Sequence, residues 1–322
     1  MASPAELVEA ALSAAASGDA VPRAVARLIS WVEEDSPRLR EVMAALIAAS
    51  PGPPTPGGSH VIGITGAPGV GKSTSTSALI SALRARDRRV GVIAIDPSSP
   101  FSGGALLGDR IRMSEHATDA GVFIRSMASR GHLGGLSRAT PQAVRVLGAA
   151  GFDHIIIETV GVGQSEVEVA GLADTTLVLL APGMGDGIQA AKAGILEVGD
   201  IYVVNKADRD GADKVKRDLR SMLSMAVRPT GAWKPPVLTT VAQTGTGIEE
   251  VVDALDEHAV WLSDSAELTR RRTRRASAEI SEIATDTLRS HWVADSGQLA
   301  SLAASVVAGE LDPYTAADRL LG

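Results

Sequence analysis

The chain contains no cysteine, which excludes disulfides, thiolate zinc sites and a cysteine nucleophile. Its N-terminus has no basic stretch and carries Glu6, Glu9 and Asp19, unlike a secretory signal. No apolar run approaches the ~20 residues that a membrane-spanning helix needs. A formal net charge of −7 argues against nucleic-acid binding as the main function. These absences predict a soluble, cytoplasmic protein with no nucleic-acid or membrane partner.

The sequence does contain enough apolar material for a large core, since 45% of its 322 residues are hydrophobic. Apolar residues recur at helical spacing within 4–49, which predicts an N-terminal helical segment. The stretch SPGPPTPGGSH at 50–60 is rich in Pro and Gly and is typical of a linker. We therefore expect a helical segment at 1–50, a linker at 51–60, a central domain at 61–262 and a C-terminal helical arm at 263–322.

From residue 61, short apolar runs alternate with amphipathic stretches. Continuous apolar runs are typical of strands buried on both faces, and the helical stretches between them indicate an α/β fold with a mostly parallel sheet. After residue 262 the pattern predicts a long polar helix at 266–292 and two short helices within 296–322. The predicted strands are 61–65, 90–96, 122–127, 154–158, 176–181, 201–205 and 237–241, and the predicted helices between them are 72–86, 138–150, 187–197 and 211–226.

The stretch GITGAPGVGKST at 63–74 lies between a predicted strand and a predicted helix. Its glycines let backbone N–H groups turn toward a phosphate, and the helix N-terminus adds a favourable dipole. Lys72 is expected to reach the β- and γ-phosphate oxygens, and the Ser73 hydroxyl is expected to bind Mg²⁺. The sequence thus predicts a P-loop that binds a nucleoside triphosphate, formed by Gly66, Ala67, Pro68, Gly69, Val70, Gly71, Lys72, Ser73 and Thr74.

The stretch NKAD at 205–208 favours guanine over adenine, and therefore GTP or GDP as the ligand. The carboxylate of Asp208 can accept hydrogen bonds from N1–H and N2–H₂ of guanine, which adenine lacks. The aliphatic part of Lys206 would cover the base, and Asn205 would connect this loop to the P-loop. A later loop, TTVAQTGTGIEEV at 239–251, would bring backbone N–H groups near Ala242 to the guanine O6.

Acidic residues at the ends of predicted strands are candidates for the Mg²⁺ site. Asp96 and Glu158 each close an apolar run, and Asp109 lies in a loop that could reach the same ion. Asp96 could instead be a turn residue before Pro97, and Asp109 could be a helix cap. The predicted metal site comprises Ser73, Asp96, Asp109 and Glu158.

The stretch IETVGVGQSE at 157–166 has the form of a γ-phosphate sensor, in which the N–H of Gly161 would contact the γ-phosphate. Val162 follows that glycine and cannot orient water as a glutamine does in many GTPases. We therefore expect slow intrinsic hydrolysis unless another group or a partner protein completes the site. Arg110, Arg112, Gln164 and Lys192 remain open for that role, and the predicted catalytic set is Lys72, Glu158, Gly161, Gln164 and Lys192.

Two further groups of residues are interpreted as structural. The arginine-rich stretch RRRTRR at 270–275 is interpreted as a solvated helix face rather than as a site for a partner or a phosphate. The four tryptophans are interpreted as packing residues, at Trp31, Trp233, Trp261 and Trp292.

These motifs together resemble the MeaB/ArgK-type GTPases, the chaperones associated with methylmalonyl-CoA mutase, within the P-loop metallochaperone GTPases. The resemblance rests on GAPGVGKST, DPSSPFSGGALLGDRIRM, SRGHLGGLS, ETVGVGQSE, PGMGDGIQAAKAGILE, NKAD and GELDPYTAADRLL, and covers nearly the whole chain. It implies a homodimer with a contact through the C-terminal arm, and a complex with an adenosylcobalamin-dependent acyl-CoA mutase. GTP hydrolysis would gate cofactor delivery and protect the mutase, and the segment at 181–197 would couple the nucleotide state to it.

Two other functions compete with this one. A phosphotransferase or ATPase associated with basic amino-acid transport remains an alternative, although no catalytic base of the HRD type is present. A nickel or cobalt metallochaperone is disfavoured, because such proteins carry clustered Cys or His, whereas this chain has no Cys and six scattered His.

Overall fold

The computed structural model describes most of the chain. The described residues are 3–17, 22–34, 36–49, 58–96, 113–128, 139–159, 165–183, 197–226, 229–294 and 296–321. The predicted helix at 187–197 lies outside the described residues except at its last position. Within these ranges, no helix is both long enough and apolar enough to cross a bilayer.

Within the described residues, seven strands form one parallel sheet, which confirms the predicted fold class. The strand order is β3-β2-β4-β1-β5-β6-β7, so β1 lies at the centre between β4 and β5. Five of the strands are buried along their whole length, as their unbroken apolar runs predict. The strands are β1 (His60–Thr65), β2 (Val90–Asp96), β3 (Val122–Ala128), β4 (His154–Thr159), β5 (Thr175–Leu180), β6 (Ile201–Val204) and β7 (Val237–Thr239).

The last strand is shorter than the predicted range 237–241. Beyond Thr239 the chain leaves the sheet, and Val241 pairs instead with Thr246 in an isolated antiparallel bridge. The backbone thereby closes a small loop at the carboxyl edge of the sheet, where ligands of parallel α/β folds bind.

Helices cover both faces of the sheet. The described helices are α1 (Pro4–Ser17), α2 (Pro22–Glu33), α3 (Leu39–Ala49), α4 (Lys72–Ala85), α5 (Ala139–Ala149), α6 (Ser165–Leu172), α7 (Ala212–Met225), α8 (Ile248–Asp264), α9 (Glu267–Ala294), α10 (Ser296–Val307) and α11 (Pro313–Leu321). On one face, α4 and α8 pack against Ile62, Ile64 and Ile156. On the other face, α5 and α6 share a core with Ile155 and Ile157, while α7 packs against β5 and β6.

The N-terminal helices α1 to α3 belong to one of these cores. Val25, Leu28 and Ile29 of α2 are fully buried in the cluster that also contains Ile93 of β2 and Val146 of α5. An ion pair between Arg125 of β3 and Glu33 of α2 joins the helices to the sheet edge.

The chain divides into two compact units, Met1–Arg271 and Arg272–Gly322. The second unit contains most of α9 together with α10 and α11, so the helical character predicted for the C-terminal region is confirmed. The finer division of the chain at residues 50, 60 and 262 stays a prediction.

A buried polar network lies at the amino ends of the strands, on the edge of the sheet opposite the P-loop. Thr175 Oγ1 is 2.6 Å from His60 Nε2 and 2.7 Å from His258 Nδ1. Asp200 forms two hydrogen bonds of 2.8 Å with the guanidinium of Arg271. The interpretation of 270–275 as a solvated helix face is therefore wrong for Arg271, because this side chain is turned to the sheet edge.

Candidate nucleotide-binding site

The P-loop connects β1 to α4 and depends on glycine at two close contacts. A Cβ on Gly66 would lie 2.3 Å from the carbonyl oxygen of Leu179, and a Cβ on Gly71 would lie 2.5 Å from Asn205 Nδ2. Both residues also have positive φ, at 147° and 94°, as does Gly69 at 81°. Only glycine meets both conditions without strain, so the loop holds its backbone in a shape that a side chain would disrupt.

Lys72 is the first residue of α4, and its side chain folds back over the loop. Its Nζ donates to the carbonyl oxygens of Gly66 at 2.6 Å and of Ala67 at 3.2 Å. Val70 anchors the loop, since its side chain is buried in the core beneath α4. By contrast, Pro68, Gly69 and Thr74 are exposed to solvent.

Ser73, in the first turn of α4, contacts the acid that ends β4. Ser73 Oγ donates to Glu158 Oε1 at 2.6 Å, and Glu158 is only 2% exposed. In the sheet, Glu158 lies opposite Ala94 of β2. Asp96 is two residues beyond Ala94 and therefore projects from the same face of the sheet. The structure thus brings Ser73, Glu158 and Asp96 to the carboxyl edge beneath α4, with Asp96 3% exposed.

These three side chains offer a hydroxyl and two carboxylates, which is the donor chemistry that Mg²⁺ prefers. The residues present therefore fit the predicted ion. Within the described ranges there is no group of three or more His, Cys, Asp or Glu side chains that could hold a metal by itself. Such a site would accordingly complete its coordination with ligand oxygens and water, as Mg²⁺ commonly does.

Asn205 follows β6 and connects three separate parts of the site. Its Nδ2 donates to the carbonyl oxygen of Val70 in the P-loop at 2.9 Å. Its Oδ1 accepts from Thr240 Oγ1 and from the N–H of Ala242, both at 3.1 Å. A carbonyl can only accept and an amide N–H can only donate, so these partners fix the orientation of the side-chain amide. Asn205 makes the connection to the P-loop that the sequence predicts, and also one to the 239–247 loop.

The next two residues of this motif differ in their surroundings. Lys206 has a φ of 57°, and its Nζ donates to the carbonyl oxygen of Gly69 at 2.7 Å. Its side chain therefore extends across the mouth of the P-loop. Asp208 is exposed, and it forms neither a hydrogen bond nor an ion pair with any described residue. Its carboxylate is thus accessible to a ligand.

The loop after β7 carries donors that the sequence identifies only in part. Ala242 N–H, expected near the guanine O6, donates to Asn205 Oδ1 in this structure. Thr240 was not predicted as a site residue, yet its hydroxyl orients Asn205. The only sequence feature that could have identified Thr240 is its place as a hydroxyl residue directly after an apolar strand.

Four predicted site residues lie outside the described residues. They are the metal candidate Asp109 and the catalytic candidates Gly161, Gln164 and Lys192. Arg110 and Arg112, the other candidates for the hydrolytic role, lie outside as well. The described part of the site therefore comprises the P-loop, two acids, the NKAD stretch and the loop at 239–247.

A family model described as "Methylmalonyl Co-A mutase-associated GTPase MeaB" matches residues 25–297, which is more than half of the chain. The chain belongs to the MeaB family. This MeaB family member is 45% identical over 301 residues to a protein of Pyrococcus horikoshii named as a GTPase, and the match covers 93% of each chain. It is 36% identical over 266 residues to the mouse protein "Methylmalonic aciduria type A homolog, mitochondrial", covering 81% of this chain and 64% of that protein.

The fold of this MeaB family member also matches a solved structure. The crystal structure of a protein named "LAO/AO transport system kinase" superposes with a TM-score of 0.70 and 28% identity, covering 97% of this chain and 96% of that one. Together with the P-loop fold, the family and the named relatives show that the chain is a GTPase that binds guanine nucleotide.

Proposed function

We propose that this GTPase is a chaperone that gates the loading of adenosylcobalamin into methylmalonyl-CoA mutase, or a related acyl-CoA mutase, and protects the loaded enzyme. The observation that carries the proposal is the match to a family described by its association with that mutase. The mouse relative supports it, since its name refers to methylmalonic aciduria.

In this proposal the P-loop binds the phosphates of GTP through its backbone N–H groups and the N-terminus of α4. Lys72 gives up its bonds to Gly66 and Ala67 and donates to the β- and γ-phosphate oxygens. Ser73, Asp96, Glu158 and Asp109 hold the Mg²⁺ ion, directly or through water. When bound, this ion neutralises the charge that develops on the phosphates during hydrolysis.

The base is recognised at the other end of the site. Asp208 accepts hydrogen bonds from N1–H and N2–H₂ of guanine through its exposed carboxylate. Lys206 covers the ring with its aliphatic part, and Asn205 holds the base loop against the P-loop through Val70. The N–H of Ala242 already donates to Asn205 Oδ1. A hydrogen bond from this loop to guanine O6 therefore requires that Ala242 share its N–H between the two acceptors, or that a neighbouring backbone N–H donate instead.

Hydrolysis in this proposal is slow without a partner. Gly161 senses the γ-phosphate, but Val162 cannot orient the attacking water. Gln164 and Lys192 are the candidates within the chain that could complete the site, and a residue of the mutase is the candidate outside it. A GTPase of this kind hydrolyses its nucleotide at a rate set by the bound mutase, which couples hydrolysis to cofactor delivery.

We further propose that the protein works in the cytoplasm as a homodimer and that the C-terminal arm contributes the contact. The support comes from exposed apolar side chains in the second unit. On α9 these are Ile280, Ile283 and Leu288, with exposures of 68%, 38% and 46%. Their spacing along the helix is that of one apolar stripe, which is suited to packing against another helix.

The proposal is tested by combining purified chain with methylmalonyl-CoA mutase in the presence of GDP or a non-hydrolysable GTP analogue. A nucleotide-dependent complex and a change in GTP hydrolysis on adding the mutase are expected. No complex in any nucleotide state, with hydrolysis unaffected by the mutase, would overturn the chaperone role.

A phosphotransferase or ATPase associated with basic amino-acid transport is the second candidate, supported by the name of the protein in the matching solved structure. The same purified chain can be used to distinguish this candidate from the chaperone role. Transfer of the labelled γ-phosphate of ATP or GTP to a transport protein, rather than to water, would favour the transport role over the chaperone.

A further inference from the structure

The junction between α8 and α9 is a short turn with a strained residue. α8 ends at Asp264 and α9 begins at Glu267, with Ala266 at a φ of 58° between them. The left-handed region is unfavourable for a residue with a Cβ, so neighbouring contacts must hold this conformation. Some of them lie in the turn itself, since both the N–H and the Oγ of Ser265 donate to the carbonyl oxygen of Trp261.

Arg271, in the second turn of α9, supplies a stronger contact. Its Nη1 and Nη2 each lie 2.8 Å from a different carboxylate oxygen of Asp200, and Nη1 also donates to the carbonyl oxygen of Asp174 at 2.8 Å. This is the two-pronged pairing that makes arginine–carboxylate contacts specific. Burial lowers the pKa of Arg271, but the bonds and the charge of Asp200 outweigh it and leave this pKa raised.

Asp200 is itself held in place by the start of the sheet. Its N–H donates to the carbonyl oxygen of Thr176, and its Oδ2 accepts from the N–H of Thr176 at 2.8 Å. Its carbonyl oxygen accepts from Trp233 Nε1 at 2.7 Å. The residue before it, Gly199, lies so close to the ring of Tyr202 that a Cβ would be 2.6 Å from that ring. The carboxylate is therefore in a fixed position when Arg271 reaches it.

We propose that Asp200 and Arg271 form a latch that holds the strained α8–α9 junction closed. Two features make it a device that can open. The side chain of Arg271 retains 23% exposure and that of Asp200 retains 8%, so the pair is not completely sealed from solvent. Gly199, next to Asp200, packs against the Tyr202 ring, so we expect a shift of Gly199 to displace the carboxylate from Arg271.

The position of the latch separates it from the nucleotide site. Asp200 lies just before β6 at the amino edge of the sheet, whereas Asn205 lies just after this strand at the carboxyl edge. Opening the latch should therefore free the first turns of α9 without removing any group that binds GTP. Opening of the junction can therefore be measured independently of the proposed chaperone role.

The test uses hydrogen–deuterium exchange of the full chain, followed in peptides that cover residues 266–275. Arg271→Ala should speed exchange there by roughly 10-fold or more, because the contact that suppresses local opening is gone. The matched control is Arg270→Ala, which removes the same charge one residue earlier; this side chain is 74% exposed and pairs with Glu267 on its own helix rather than with Asp200. Arg270→Ala should stay within about 2-fold of the unaltered protein.

Two further variants keep the inference testable if Arg271→Ala folds poorly. Arg271→Lys keeps the charge but loses the two-pronged geometry, and should give an intermediate rate. Gly199→Ala leaves Arg271 intact but forces a Cβ toward Tyr202, and should speed exchange in the same peptides. GTP affinity should stay within about 3-fold in all these variants. The latch would be overturned if Arg270→Ala and Arg271→Ala exchanged at the same rate in these peptides. It would also be overturned if neither Arg271→Lys nor Gly199→Ala changed the exchange rate.

Discussion

Ser73 Oγ and Glu158 Oε1 are 2.6 Å apart, so the hydroxyl at the start of α4 and the acid at the end of β4 are hydrogen-bonded directly. The two groups come from positions 85 residues apart in the sequence. Their contact places a hydroxyl and a carboxylate where one Mg²⁺ ion could engage both. The acid is Glu rather than Asp, and its extra methylene lets it reach a helix that lies over the sheet.

Glu158→Gln tests this part of the site. The amide keeps the size of the side chain and can still accept from Ser73, but it loses the charge that attracts the ion. We expect the Mg²⁺ concentration needed for half-maximal GTP hydrolysis to rise by roughly 10- to 100-fold. The same substitution at the exposed Glu250 serves as the control. An unchanged Mg²⁺ dependence would remove Glu158 from the metal site.

Asp208→Asn tests the base assignment. The amide presents a donor where the carboxylate accepts from guanine, so affinity for GTP should fall by roughly 100-fold and affinity for XTP should rise. Direct titration with both nucleotides measures the change. Asp210→Asn alters another exposed acid two residues away and should bind GTP normally. GTP preference retained by Asp208→Asn would show that another group recognises the base.

Asn205→Ala should destabilise the protein even without nucleotide. It leaves the Val70 carbonyl, the Thr240 hydroxyl and the Ala242 N–H without their partner at a site that is 2% exposed. We expect the free energy of unfolding in urea to fall by about 2 to 3 kcal/mol. Thr240→Val removes only one of the three bonds and should cost about 1 kcal/mol. Equal losses for the two variants would contradict a connecting role for Asn205.

Gly63→Ala should weaken the packing of α6 on the centre of the sheet. The added Cβ would lie 2.8 Å from Val169 Cγ2 and 3.0 Å from Ala173 Cβ. Such overpacking should lower the free energy of unfolding by about 1 to 3 kcal/mol. Gly171→Ala is the matched control, since a Cβ there meets nothing within 4 Å and a helix favours Ala. If the two variants have the same free energy of unfolding, the added Cβ at position 63 does not overpack the core and α6 shifts freely.

The positions of the strands could be predicted from the sequence because a strand buried on both faces is apolar at successive positions. Runs such as HIIIE at 154–158 contain no polar alternation, and the structure confirms a fully buried strand at His154–Thr159. β7 was predicted two residues too long, because the turn at Thr240 depends on a bridge between Val241 and Thr246. Nothing within the apolar run itself indicates that bridge.

Contacts between distant positions could not be predicted in the same way. The sequence indicates that Asn205 meets the P-loop, but the part played by Thr240 depends on how two loops close around one side-chain amide. Arg271 illustrates the same limit. Among five arginines in six residues, only packing distinguishes the one that reaches Asp200 from the exposed Arg270.

The buried His258 makes stability depend on pH. Burial lowers the pKa of His258 to about 4, although the nearby Asp200 and Asp174 oppose the effect, and Arg271 adds to it. The unfolded chain would bind a proton near the ordinary value of 6.5, whereas the folded protein would not do so until about pH 4. Stability contributed by neutral His258 is therefore present above pH 6.5 and is lost as pH falls toward 4, by about 3 kcal/mol in total.

His258→Gln should flatten this dependence. Glutamine can still bond to Thr175, and the lost ring packing costs the same at every pH, so only the slope of stability against pH should change. Urea unfolding at several values between pH 7 and pH 4 measures that slope. Burial also lowers the pKa of His154, so adding His154→Gln should flatten the curve further. If His258→Gln loses as much stability on acidification as the unaltered protein, then His258 is not the group that titrates.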